Sequence, residues 1–488
     1  MAELLTRKGY QLTDNPELAE VIIVNTCGFI GPARDESFQV LGDLAAQKRR
    51  GQLLIAAGCL TQRYGVEIAQ RVPGIDGILG TRRWMDIVEV VQRTLDLRMP
   101  HSKRVGRSLR AATTQQLSRE PVYHLPETPT VGRDEAGAPR HAVQGTSAYL
   151  KIADGCRRPC AFCAIPLIKG TAVSRPMEAI LQETSVLVSQ GVREINLIAQ
   201  DTTDYGHDLG LKDGLAQLLE KMTSPGQHPP ISEKWGDRGV PPWIRVMYAY
   251  PGYVTERLIE VMASRSQIVH YLDMPLQHAH PDTLRRMGRP ANVDWVYLTL
   301  EKMRRQIPDL ALRTTFIVGY PGETEAEFQV LLDFVKAIRF DRVGTFQFSF
   351  EVGTPSEPLG DPVPPEVKEE RYNRLMELQQ GISLEINQSF VGKILPVLIE
   401  GQQSDVRAGS TRPTPRPTGS RSKSHECLLI GRSYRDAPEI DGLVMVEEAP
   451  SPHSGQAPET PQSMVGEIVP VRITGAMAYD LIGVKNLA

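Results

Sequence analysis

The chain has 488 residues, enough for about two to four domains. Its formal net charge is −3 with 41% apolar residues, so bulk electrostatics do not mark it as a nucleic-acid binder. No run of about 18 apolar residues indicates a membrane span, and Met1–Tyr10 lacks an apolar signal core. Six cysteines in so long a chain make no disulfide framework, and a cytoplasmic, reducing compartment is expected.

Residues 1–100 alternate helix and strand. Met1 to Lys8 reads as the end of a helix, Val21 to Val24 as a buried strand, Ala33 to Arg49 as a helix and Leu53 to Ala57 as a second strand. Short apolar runs between helices predict a parallel sheet, whose sites form at the carboxyl ends of strands. Cys27 and Cys59 each lie just past such an end. They are expected on one rim, within reach of a shared ligand; two unrelated buried cysteines is the competing reading. The first helix has no strand before it, although βα units begin with one. A third rim cysteine would belong on that strand.

Residues 101–145 are rich in charge, Pro, Gly and Thr and read as linker. Residues 146–384 again alternate. Glu194–Ile198, Trp243–Met247, Tyr271–Met274, Arg313–Val318 and Arg342–Phe346 are the candidate strands of an open barrel of roughly six βα units. A helix over 366–388 presents Leu375, Leu378, Ile382 and Ile386 on one face. Residues 385–488 form a β-rich tail beginning at Ile394. Two low-complexity stretches in it, 408–424 and 449–463, are expected to be disordered loops. Cys427, beside an apolar run, reads as tail core.

The chemistry concentrates in Cys156-Arg-Arg-Pro-Cys160-Ala-Phe-Cys163. Three thiolates hold three irons of a four-iron cluster and leave the fourth iron open to a cofactor. A structural zinc site would want four ligands; His141 could supply one, but no second cysteine pair exists. Gly319-Tyr-Pro-Gly322-Glu323-Thr324 follows a strand and opens a helix, with Thr324 and Glu327 as a capping box. Its glycines allow close backbone approach, and the helix start favours a carboxylate or other anion. Gln200, Asp201, Asp273 and Gln277 follow or end barrel strands and are expected at the barrel mouth, where loops build sites. Rim stabilisation is the competing role for each.

These segments together resemble the methylthiotransferases, a branch of the radical S-adenosylmethionine (SAM) enzymes. The resemblance rests on Asn25-Thr-Cys27-Gly-Phe-Ile30, the three-cysteine motif with Cys163-Ala-Ile-Pro166, Tyr271 to His278, Arg289-Pro290, Ala437 to Gly442 and Tyr479 to Gly483. It implies an N-terminal cluster domain, a radical SAM barrel and a C-terminal TRAM β-barrel. It is strongest for the branch that modifies small-subunit ribosomal protein number twelve. The implied reaction replaces a hydrogen on the β-carbon of an aspartate with a methylthio group. Two 4Fe–4S clusters are implied, one on Cys156, Cys160 and Cys163 and one in the N-terminal domain. Gln200, Asp201, Asp273, Gln277, Gly319, Gly322 and Glu323 become candidate SAM contacts. An electron donor such as flavodoxin or ferredoxin is implied as partner, and no membrane. The family carries three N-terminal cysteines; Cys27 and Cys59 match the second and third. A start placed too late, or a truncated chain, is the expectation for the first, with exposed apolar edges near Val21.

A transfer-RNA methylthiotransferase of the MiaB type would share both clusters and the barrel. From Glu385 onward there are 10 Lys and Arg against 12 Asp and Glu; without 402–424 the counts are 5 and 11. Phosphate binding needs positive charge, so an acidic tail disfavours RNA and suits a basic protein substrate. A non-catalytic iron–sulfur or zinc scaffold is the remaining alternative, with no feature in its support.

Overall fold

A computed structural model describes residues 1–98, 120–127, 139–224, 242–402, 428–447 and 464–485. Cys427 and both low-complexity stretches lie outside the described residues. The chain divides into two compact units. The first comprises Met1–Pro139, Ala153–Pro176 and Ser349–Asp361, the second Arg140–Ile152, Met177–Phe348 and Pro362–Ala488.

The first unit opens with α1 (Ala2–Arg7), β1 (Val21–Thr26), α2 (Gly31–Gln47), β2 (Leu53–Gly58), α3 (Cys59–Arg71), β3 (Gly77–Gly80), α4 (Ile87–Arg98) and β4 (Val122–His124). The strands form a parallel sheet in the order β1-β2-β3-β4. All six residues of β2 are buried, because a parallel sheet is covered on both faces. The period of two splits them. Ile55 and Ala57 pack with Leu4, Leu5, Leu79 and Val90, while Leu54 and Ala56 pack with Phe38, Leu41 and Ile68. β1 is an edge strand, and Val21 to Val24 are half-buried rather than exposed.

The second unit takes up the chain at β5 (His141–Gln144) and β6 (Ser147–Lys151). β7 (Ala153–Asp154), α5 (Ile165–Lys169) and β8 (Val173–Ser174) then belong to the first unit. The second unit resumes with α6 (Met177–Ser189), β9 (Glu194–Ile198), α7 (Gly214–Met222), β10 (Trp243–Val246), α8 (Glu256–Ser264) and β11 (Ile268–Asp273). α9 (Pro281–Arg286), α10 (Val293–Gln306), β12 (Ala311–Val318), α11 (Glu325–Ile338), β13 (Arg342–Gln347) and α12 (Pro365–Gln388) follow. The sheet order is β13-β12-β11-β10-β9-β6-β5, parallel from β6 to β13 with β5 antiparallel at its edge. β6 is the strand absent from the predicted set, and β4 and β5 are strands inside the predicted linker.

The tail holds β14 (Ile394–Gln402), β15 (Leu429–Ser433), β16 (Val444–Glu447), β17 (Ile468–Ala476) and β18 (Leu481–Lys485), closed into a barrel over Val397, Ile399, Val444, Val471 and Leu481. α12 leads into it. Its most buried face is partly polar: Gln379 and Ser383 donate to the carbonyls of Phe340 and Asp341, and Asn387 donates to Met477 O at 2.9 Å. Leu375 and Ile382 are buried as predicted, whereas Leu378 and Ile386 are only half-buried. No helix among the described residues is long and apolar enough to cross a membrane.

Candidate active site: a cysteine loop, a two-cysteine rim and a barrel mouth

The three-cysteine motif lies on a loop of the first unit closed by its own short ladder. Ala153 and Asp154 pair with Ser174 and Val173 across the neck. Gly155 has φ +78°, and a Cβ there would lie 2.1 Å from Thr171 O, so only glycine fits. The Cys156 amide donates to Gly170 O at 3.1 Å, and Cys163 N donates to Cys160 O at 3.1 Å. The Arg158 amide donates to the Cys156 sulfur at 3.4 Å, a contact that favours thiolate. All three cysteines are partly exposed. A short loop that carries three partly exposed cysteines and is tied by its own backbone bonds fits a cluster with an open iron. His141, the fourth ligand a zinc reading would need, pairs through Nδ1 with Glu183.

Cys27 and Cys59 also belong to the first unit. Thr26 and Gly58 are register partners, so the two cysteines leave adjacent parallel strands at the same end. The loops touch: a Cβ on Gly28 would meet Leu60 Cα at 2.6 Å and the Cys59 carbonyl carbon at 3.1 Å. Cys27 N donates to Ser37 Oγ at 3.0 Å, which ties the loop to α2. Cys27 is exposed and Cys59 half-buried. The arrangement matches a shared rim better than two unrelated core cysteines.

In the second unit, Gln200 and Gln277 follow β9 and β11. Each carries a buried side-chain oxygen without a hydrogen-bond partner, so each has a vacant acceptor for a ligand's N–H or O–H. Gln277 has φ +74° and its backbone is locked to β12 by bonds to Thr315 O and from Ile317 N, both 2.8 Å. Tyr248, after β10, shares the left-handed geometry at φ +59°. Non-glycine residues held there store backbone strain, which concentrates at functional sites; no sequence signal announced either. Asp201 is buried and accepts from Thr203 Oγ1 at 2.5 Å.

Two expected cofactor contacts sit differently. Glu323 turns inward, its side chain fully buried, and accepts from the Gly319 and Tyr320 amides while pairing with Arg371 at 3.3 Å and His278 at 3.4 Å. The amides expected to meet a ligand's carboxylate are therefore met by the chain's own. Gly319, at φ +72°, lies where a Cβ would strike Lys368 Cγ at 2.4 Å, so this glycine serves packing against α12. Gly322, at φ +79°, is more open, with Arg286 Nε 3.5 Å from its notional Cβ.

Asp273 is the larger departure. Its buried carboxylate pairs with Arg313 at 2.8 Å, and Arg313 also lies 3.4 Å from Asp441 of the tail. Burial raises the Asp273 carboxyl above its ordinary range, while Arg313 opposes the rise. The residue belongs to a buried ionic seat between the two barrels of this unit. Glu194 binds Arg245 at 2.8 Å and Arg432, which also reaches Glu400 at 2.6 Å. Arg342 binds Asp436 and Arg435 binds Asp341, both at 2.6 Å, and Tyr271 donates to Asp441 at 2.7 Å. Burial alone would raise Glu194, but Arg245 and Arg432 hold it at about 2.

Residues 150–335 match the Radical SAM superfamily, residues 1–80 the Uncharacterized protein family UPF0004, and residues 422–485 the TRAM domain. The ribosomal protein uS12 methylthiotransferase RimO of Chloroflexus aurantiacus is 45% identical over 490 residues, covering 99% of this chain and 95% of that one. The RimO of Roseiflexus sp. is 42% identical over 488 residues, covering 99% and 93%. Among solved structures, the radical SAM methyltransferase TsrM of Kitasatospora setae, with tryptophan and a SAM analogue, is similar at a TM-score of 0.49 and 12% identity, over 81% of this chain and 68% of that one. With such identity along nearly the whole of both chains, the protein belongs to the RimO family of radical SAM methylthiotransferases.

Proposed function

We propose that this chain methylthiolates ribosomal protein uS12, replacing a hydrogen on the β-carbon of an aspartate with a methylthio group. The observation that carries the reading is the closed cysteine loop, which fits a 4Fe–4S cluster on Cys156, Cys160 and Cys163 with an open iron. Once bound there, such a cluster in its reduced state supplies the electron that cleaves SAM, and so the radical that removes the hydrogen. The protein's own part is to orient and to exclude. Gln200 and Gln277 accept hydrogen bonds from SAM, and Asp201 stands beside Gln200. The shape of the turn at Gly319 and Gly322 is held by Glu323, a positioning residue.

Cys27 and Cys59 would supply two of the ligands of a second cluster on this rim, which would supply or relay the sulfur, and a second SAM would supply the methyl group. The tail favours a basic protein substrate over RNA. Of its five bases outside 402–424, Arg432 and Arg435 are buried in the ionic seat together with the Asp436 and Asp441 carboxylates, so an acidic excess remains outside the seat. Opposite potentials steer association with a basic partner.

The test is anaerobic reconstitution with reductant and SAM, offering uS12 and transfer RNA side by side, with mass spectrometry of both. A gain of one methylthio group on uS12 alone is expected. Modification of the RNA alone refutes the substrate assignment. Stoichiometric zinc without iron refutes the chemistry.

A further inference from the structure

We infer that the segment Ser349–Asp361 is a spacer that fixes the Cys27–Cys59 rim against the Cys156–Cys163 loop, with Arg63, Glu351 and Ser356 as its positioning residues. The inference rests on the two-site reading above and goes beyond it by naming what holds the sites in place. All the parts belong to the first unit.

At one end, Arg63 of α3 donates through one nitrogen to Gly28 O at 3.0 Å and to Glu351 Oε2 at 2.9 Å. Gly28 is the neighbour of Cys27. The other terminal nitrogen reaches Val352 O at 2.7 Å. Arg34 of α2 adds a second cation 3.7 Å from the same carboxylate. The Arg63 and Glu351 side chains are only 6% and 3% exposed, so this pair is shielded from solvent screening.

At the other end, the Ser356 amide and hydroxyl both donate to Ala161 O at 2.9 Å, between Cys160 and Cys163. The five-residue step from Glu351 to Ser356 is stiffened internally. Thr354 Oγ1 donates to Glu351 O at 2.8 Å, and the Gly353 amide donates to Glu357 Oε2 at 2.7 Å. A parallel strap runs from the end of β3, where Arg82 donates to Ile168 O at 3.0 Å and Leu167 O at 2.9 Å. Those carbonyls lie on α5, just after Cys163.

An ordinary packing segment would bury apolar side chains. This one buries Glu351, Thr354 and Ser356: Glu351 and Ser356 bond to a cation and a carbonyl beside the cysteines, and Thr354 bonds within the segment. Glu351 Oε1 is buried without a partner, a cost that a purely structural turn would avoid. Directional bonds at both ends set a distance, which nondirectional packing does less sharply. Transfer between two sites depends steeply on distance, whereas SAM cleavage at one site does not.

The test uses full-length, iron-loaded protein. Glu351→Gln and Arg63→Met are expected to keep 5′-deoxyadenosine formation within about twofold of the parent. Methylthiolated uS12 per 5′-deoxyadenosine should fall by about 10- to 100-fold, the cost of a misplacement near 1 Å. Arg63→Lys should restore part of the ratio. Independently of activity, amide hydrogen exchange over 353–357 should quicken in Glu351→Gln while iron content stays at the parent value. An unchanged ratio, or a loss of both products together with iron, overturns the spacer role. A parent protein that never methylthiolates uS12 would instead refute the function on which it rests.

Discussion

Glu194→Gln should be among the most destabilising single changes in the second unit. The side chain is fully buried between Arg245 and Arg432, at the joint where the tail barrel meets the parallel strands. Its carboxyl lies at about 2 against an ordinary 4.5, and at roughly 1.4 kcal/mol per unit this difference is worth roughly 3 kcal/mol. Because the folded value is depressed, that stabilisation is complete above 4.5 and is lost as pH falls toward 2. The amide keeps the shape but leaves two buried guanidinium groups short of a charge, and breaking such a pair costs about 3–5 kcal/mol. With a urea slope of about 3 kcal/mol/M, the midpoint of anaerobic unfolding at pH 7 should drop by roughly 1 M. The parent's advantage should shrink as pH is lowered from 5 toward 2. A midpoint within about 0.2 M of the parent at pH 7 would refute the reasoning. It would mean that water reaches the arginines and the seat is not a closed ionic joint.

Asp273→Asn should cost distinctly less at pH 7 than Glu194→Gln, because burial has already raised the Asp273 carboxyl; the same urea titration checks the order. SAM affinity should be little changed in it, measured by equilibrium binding. Gln277→Ala and Gln200→Ala should raise the KM for SAM roughly tenfold, the worth of one buried hydrogen bond, without lowering Tm. Gly155→Ala should lower reconstituted iron to under half of the parent, read by iron assay and visible absorbance, because its Cβ would collide with Thr171 O.

The α/β pattern, the β-rich character of the tail and the cysteine loop were legible because each is written in local spacing; the closing of the tail into a barrel was implied only by the family resemblance. β2 is a continuous apolar run and reads as a buried parallel strand. The capping box of Thr324 and Glu327 forms as its letters predict. β6 escaped because Ser147-Ala-Tyr-Leu-Lys151 is short and mixed, and its pairing partner Glu194–Ile198 lies more than forty residues away. Asp273 misled because strand-end position does not fix which way a carboxylate points when a tail arginine network competes for it. Glu323 misled for a related reason: a turn that offers amides to a ligand can satisfy them with its own carboxylate. Arg63 and Glu351 carry no motif; a sequence separation of 288 hides the pair from any local pattern.

That separation also orders events during synthesis. At about 5–20 residues per second, a ribosome that has made Arg63 needs roughly 15–60 s more to reach Glu351. The sheet of the first unit, whose contacts are short in sequence, can form long before its spacer exists. Cys27 and Cys59 therefore wait on an unfinished rim, and an early dissection of the gene after Pro139 would strand them from the loop and spacer that complete their unit. The Cys27–Cys59 rim and the Cys156–Cys163 loop can take their final relation only after residue 361 has emerged, with the whole C-terminal tail still to be made.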